Sequence, residues 1–159
     1  MHRFLNRLFR LEEINGHNRC PTYLYRWTLF QPRRPRGLWR GFGIYLHKFV
    51  GDDWSRDLHD HPKRVVSIGL KGAYVEERMR ADSFSISTTF RTFRAPWIRT
   101  FPAEHIHRLS LIDGRPCWTL VVVLWHVREW GFWHDERWIH WRSYVDKGNV
   151  IADQRKACP

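Results

Sequence analysis

The sequence has few cysteines, few acidic residues relative to basic ones, and no long apolar run. Its three cysteines, Cys20, Cys117 and Cys158, are odd in number and far apart in a chain of 159 residues. They make neither a disulfide framework nor a Cys-x-x-Cys metal knuckle, which fits a reducing compartment and an expected cytoplasmic location. The longest apolar run, residues 118–125, is the length of a strand and too short to span a membrane as a helix. Residues 1–11 alternate Arg with Phe and Leu and lack a continuous apolar core, so neither a secretory signal nor a membrane span is expected there. Low-complexity tracts and recognisable nucleic-acid modules such as a zinc finger or an RNP motif are also missing.

What the sequence has in abundance is aromatic side chains and arginine. Ten Trp and ten Phe suit the walls of a β-rich barrel, where large flat side chains fill the interior or cover sheet edges. Hydrophobic residues make up 43% and charged residues 27%, an ordinary globular balance at single-domain length. The net charge of +11 is concentrated near the start: residues 1–40 carry nine Arg against Glu12 and Glu13, leaving only +4 for the rest. Such a surface attracts nucleic acid, anionic lipid or acidic metabolites without defining which.

Along the chain, residues 2–14 place Phe4, Leu5, Leu8, Phe9 and Leu11 at near-helical spacing, with Arg3, Arg7 and Arg10 opposite. A short amphipathic helix ended by Asn15 and Gly16 is expected, either covering one end or one open edge of a sheet or acting as a basic arm for a membrane surface or nucleic acid, with Trp27 and Trp39 nearby for stacking. Strands are expected at 22–30, 42–50, 64–70, 73–79, 83–90, 106–112, 117–125 and 137–141, separated by Gly, Pro and Asp turns. His47 would be an inward cavity residue or a structural histidine. Many short strands and one helix imply an all-β antiparallel sandwich or barrel. The late aromatics, from Trp125 to Trp141, would close the barrel or pack a homodimer interface.

Against this background stand His59-Asp60-His61 and His105-Ile106-His107. Residues two apart on an extended strand point to one face, so each pair can offer two imidazoles to a metal while the middle residue faces away. Imidazole suits Fe, Zn, Cu and Ni, and a mononuclear site needs a further ligand from another strand.

Taken together these residues resemble the cupin superfamily, the RmlC-like double-stranded β-helix or jelly-roll proteins. Its first motif runs from His-x-His to a Gly, and here Gly72 follows His61 after ten residues; its second motif, Pro-x-Gly-x-x-His, aligns Pro102 and His107. The resemblance implies a jelly-roll barrel over residues 21–145, a basic helix and lead-in over 1–20, and a tail over 146–159. It also implies His59, His61 and His107 as metal ligands. The first-motif Glu would fall near Val65 or Val66, and Glu104 replaces the second-motif Gly, so the four-ligand site is reduced to three histidines.

Such a set is similar to the ferrous site of thiol dioxygenases, implying Fe(II), with Zn, Mn or Ni as alternatives. Glu76, Glu77 or His105 would fill a fourth position or act as a base. Phrases such as Leu70-Lys71-Gly72-Ala73-Tyr74 and Glu129-Trp130-Gly131-Phe132 look like small single-domain cupins of bacteria and their phages. The leading expectation is a metal-binding, dioxygenase-like enzyme acting on a small molecule in the barrel. The alternatives are a metal-dependent sugar or nucleotide-sugar isomerase or epimerase, with Arg94, Arg99 or Arg108 meeting phosphate, and a non-enzymatic module binding nucleic acid through its basic start.

Overall fold

A computed structural model describes residues 2–15, 21–33, 41–53, 57–81, 86–135 and 137–145. Gly16, Cys20, Trp39, Cys158 and the tail from residue 146 lie outside the described residues.

The strands follow from alternation. In β3 (Gly43–Phe49) the buried positions are Gly43, Tyr45 and His47. In β5 (Lys63–Lys71) they are Val65, Ser67 and Gly69, and in β10 (Cys117–His126) they are Cys117, Thr119 and Val121. A period of two puts these side chains on one face of a pleated sheet. The remaining elements are α1 (His2–Leu8), β1 (Arg10–Asn15), β2 (Thr22–Phe30), β4 (Leu58–His59), β6 (Ala73–Ala81), β7 (Ile86–Arg94), β8 (Trp97–Phe101), β9 (His107–Leu111), β11 (Gly131–His134), β12 (Arg137–His140) and α2 (Trp141–Val145).

They form two six-stranded sheets of order β1-β2-β3-β10-β5-β8 and β12-β11-β4-β9-β6-β7, with antiparallel pairing throughout. The expected all-β jelly roll with a short N-terminal helix is what the chain forms. No helix among the described residues is long and apolar enough to cross a membrane.

The helix is shorter than its periodicity suggested. It stops at Leu8, and from Arg10 the chain runs as a strand against β2, with Leu11 opposite Trp27 and Ile14 opposite Leu24. Ladder bonds to a neighbouring strand satisfy backbone groups that a short isolated helix leaves to water, and they override helical spacing. Trp27, fully buried, stacks on Trp118 at 5.7 Å and donates its indole N–H to Asn6 Oδ1 at 2.7 Å. It is therefore structural and offers no stacking surface to nucleic-acid bases. Besides β1, strands β8 and β11 escaped the sequence reading, being only five and four residues long.

The crossing from one sheet to the other at Lys71-Gly72 requires glycine. Gly72 has φ +89°, and a Cβ there would meet Pro116 carbonyl oxygen at 2.5 Å.

Strand β4 is two residues long, so the first His-x-His is extended only through His59. Asp60 supplies the rest of the order. It is 1% exposed and accepts hydrogen bonds from Gly131 N at 2.7 Å and Trp138 Nε1 at 3.0 Å, with Arg128 Nη1 at 3.1 Å. These bonds turn Asp60 away from its histidine neighbours and tie them to β11 and β12. Phe132 stacks on Tyr144 at 3.9 Å and Trp130 on Trp141 at 5.9 Å, so the late aromatics close this end of the barrel.

Asp60→Ala should destabilise the protein by about 3 kcal/mol, because it strands the buried Gly131 N–H, the part-buried Trp138 indole N–H and a partly buried guanidinium. A shift in urea midpoint checks this; a change well under about 1 kcal/mol would mean that water replaces the carboxylate freely.

Candidate metal centre and its cavity

The register of the second sheet brings the histidines together. His59 on β4 lies directly opposite His107 on β9, and His61 follows two residues beyond His59, held by its backbone N–H to Ala103 carbonyl oxygen at 2.9 Å. Ring centroids are 5.2 Å apart for His59 and His61, 5.3 Å for His59 and His107, and 4.9 Å for His61 and His107. One donor atom from each of the three lies within 4.8 Å of the others.

The second His-x-His divides its labour. His107 faces the first pair, its Nε2 lying 2.8 Å from His61 Nε2, while its Nδ1 lies 2.7 Å from Glu76 Oε1. His105 turns to the same carboxylate, with Nε2 at 2.9 Å from Oε1, and Arg99 Nη2 donates to it at 2.7 Å. Glu76 is 2% exposed. Burial opposes its ionisation, but hydrogen bonds from His105, His107 and Arg99 outweigh burial and hold the carboxyl well below the usual range. An ionised Glu76 accepts from His107 Nδ1, which leaves the Nε2 lone pair free to bind a metal.

Glu76, His105 and His107 form a second cluster of compatible spacing. The Arg99 guanidinium already occupies Glu76 there, so the carboxylate charge is spent on a fixed cation. The three-histidine set has no such competitor and fits a cation better.

Burial, reinforced by the neighbouring imidazoles, also keeps His61 neutral, its pKa lying well below the ordinary histidine value. Burial lowers His107 to about 3, with Glu76 opposing. Neutral imidazoles are the form that binds metal. His59 Nδ1 is buried without a hydrogen-bond partner, 3.5 Å from Asp53 Oδ2. Two ring nitrogens about 2.1 Å from one ion at a right angle would be about 3 Å apart, close to the His61–His107 separation. The residues present therefore fit a divalent ion.

All three histidines face one cavity of about 360 Å³ between the sheets, within the usual range for small-molecule sites. Val65, one of the two positions near which the resemblance would place a carboxylate ligand, packs with Phe101 and Val121. Glu76 and His105, the candidate base or fourth ligand, stand behind His107 and do not line the cavity. Neither do Arg94, Arg99 and Arg108; Arg99 is held by Glu76 and Arg108 by Glu77.

Sequence reasoning missed Arg26, Lys63, Tyr23 and Asp53, all on the cavity wall. Alternation from His61 through Lys63 to Val65 was the only signal for any of them. His47 also lines the wall and accepts from Arg26 Nε at 3.1 Å, so it is at once a cavity residue and a satisfied one. Burial and then Arg26 depress its pKa well below the ordinary value.

No family model matches the chain, and no curated protein matches it in sequence. Solved structures do match in fold. A cupin-2 domain protein of Rhodospirillum rubrum aligns with TM-score 0.55 and 17% identity over 80% of this chain and 76% of its own. Vicilin from Capsicum annuum aligns with TM-score 0.53 and 13% identity over 79% of this chain. An oxalate decarboxylase of Bacillus subtilis with Mn(II) centres gives 0.50 and 12% over 76%. The chain spans 32% of the vicilin and 29% of the decarboxylase. These likenesses establish the fold alone: the chain has a jelly-roll fold like that of these proteins.

The depressed histidines set an acid limit for the metal-free protein. Above about pH 6.5 neither folded nor unfolded chain protonates them; below it the unfolded chain gains protons that folded His47, His61 and His107 refuse. Stability should therefore be level above about pH 6.5 and fall below it, by up to about 1.4 kcal/mol per pH unit for each histidine. Urea midpoints of chelator-treated protein check the sign; constant or rising stability on acidification would contradict it.

Proposed function

We propose that the protein is a mononuclear metal cupin in which His59, His61 and His107 hold a divalent ion that acts on a small molecule in the cavity. The observation that carries this reading is the convergence of three imidazoles on one cavity wall, their donor atoms within 4.8 Å of one another. An all-imidazole set favours Fe, Zn or Ni over Mn, which prefers oxygen ligands. Fe(II) is the proposed ion, and oxygenation of a small substrate the proposed reaction class.

A bound ion would supply Lewis acidity and, as Fe(II), the means to bring a chelating substrate and dioxygen together. The chain's own residues do the rest. Glu76 fixes the His107 tautomer and orientation through Nδ1 at 2.7 Å. Phe101 and Trp130 wall the cavity and exclude water. The two residues expected as the base of an isomerase, His105 and Glu76, lie behind His107 and do not line the cavity, so that reading would need another group on the wall, such as Asp53 or His47.

Elemental analysis of protein purified without chelator or metal-binding tag should find close to one ion per chain, lost in His61→Ala and in His107→Ala. Absence of metal after reconstitution with Fe(II), Zn, Mn and Ni would overturn the proposal. Iron without oxygen consumption on thiol, diketone or sugar substrates would remove the oxygenase reading and leave the metal site standing.

Glu76→Gln should weaken metal affinity about 10- to 100-fold while leaving all three ligands in place. Metal competition with a chromophoric chelator reads this, and unchanged affinity would mean that Glu76 serves the fold alone.

A further inference from the structure

The cavity wall carries two cations whose place in the fold is not explained by packing. Arg26 sits on β2 directly opposite His47 on β3, facing the interior. Its Nε donates to His47 Nε2 at 3.1 Å and its Cζ lies 5.4 Å from the Tyr45 ring centroid, so the guanidinium is held in one orientation. Its ion-pair partner is Glu12, opposite it on β1, with Oε2 3.8 Å from Nη1, too long for a hydrogen bond. The fork therefore keeps donors to spare.

Lys63 enters the same cavity from β5, two residues after His61 and on the face of Val65 and Ser67. Its stem lies against Gly41, where a Cβ would come within 3.1 Å of Cε and 3.3 Å of Nζ. Among the described residues no carboxylate pairs with its ammonium. The cavity's own carboxylate, Asp53, stands at the His59 end, 3.5 Å from His59 Nδ1, and forms no ion pair with Arg26 or Lys63. Two like charges in a semi-enclosed space of lowered dielectric repel each other, and a bound anion would turn that repulsion into attraction.

We propose that Arg26 and Lys63 form an anion seat, so that the small molecule taken by the cavity carries a negatively charged oxygen group, a carboxylate or a phosphate. This deepens the reading of the cavity as a small-molecule site and does not require that the metal be present.

The test is calorimetric titration with three probes, succinate, inorganic phosphate and the neutral diamide succinamide, on wild type, Arg26→Met, Lys63→Met and Lys63→Arg. Arg64→Met serves as the control, since Arg64 neighbours Lys63 in sequence but is exposed on the other face. Metal content is measured on the same samples.

At least one anion should bind wild type and succinamide should not, with succinate against phosphate deciding the kind of group. Binding should weaken about tenfold to a hundredfold in Arg26→Met and Lys63→Met, as expected when a charged hydrogen-bond partner is removed. It should persist in Lys63→Arg and in Arg64→Met.

Equal binding of succinamide and succinate, no binding of either anion, or equal loss in Arg64→Met and Lys63→Met would each overturn the anion seat. Metal-free protein with Lys63-dependent anion binding would remove the metal reading and keep the seat; metal-loaded protein whose anion binding ignores Lys63 would do the reverse.

Discussion

One carboxylate oxygen, Glu76 Oε1, meets three side chains at 2.7 to 2.9 Å, and the site behind the cavity wall depends on it. Burying a carboxylate in a barrel interior is strongly unfavourable unless donors surround it. Here Arg99 supplies charge, His105 a second donor and His107 a third. Arg99 is itself covered by Phe93 and Phe101, its Cζ 4.3 and 5.0 Å from their ring centroids. Remove the carboxylate and the guanidinium becomes an uncompensated buried charge, while His107 loses the partner that fixes its tautomer. The same contact that stabilises the interior therefore sets the chemistry presented at the cavity.

Asp60 plays the corresponding part for the other two histidines, from the opposite side of the strand. Its donors come from the late segment, Arg128, Gly131 and Trp138. The aromatic closure of the barrel and the orientation of His59 and His61 are thus one structure. Two buried carboxylates, neither on the cavity wall, hold the imidazoles from behind, and each is itself satisfied by a cation and neutral donors.

Much of this was legible in the sequence, for reasons that particular residues make plain. Strand β2 and most of β3, β5, β6, β9 and β10 follow from alternation and turn residues, because side-chain period is a local property. The paired histidines were legible because two residues of spacing define one face. What failed was competition between local and distant partners: Arg10 to Asn15 reads as helix until β2 offers a ladder. Glu76 was visible as a candidate but its role was not, since its partners Arg99, His105 and His107 lie on other strands or in loops. Arg26 and Lys63 were hidden for the same reason: they stand far apart along the chain, and only the packing of β2, β3, β10 and β5 brings them to one cavity.

The absence of a carboxylate from the three-histidine set and the presence of two cations on the cavity wall point the same way. The resemblance would place a carboxylate near Val65 or Val66, and Val65 is buried with Phe101 and Val121. A divalent ion on three neutral imidazoles would keep both its charges, with no ligand carboxylate to offset them. Glu76 reaches only the far side of His107, and its charge is already shared with Arg99. Arg26 and Lys63 add two more positive charges on the same wall. Asp53 is the acidic side chain on that wall, 3.5 Å from His59 Nδ1, and Glu12 lies 3.8 Å from Arg26, so the described carboxylates offset these charges only in part. An anionic substrate supplies the balance, and a neutral one leaves it unmet. On the proposed reading, the negative charge absent from the ligand set is the one that an anionic substrate would bring.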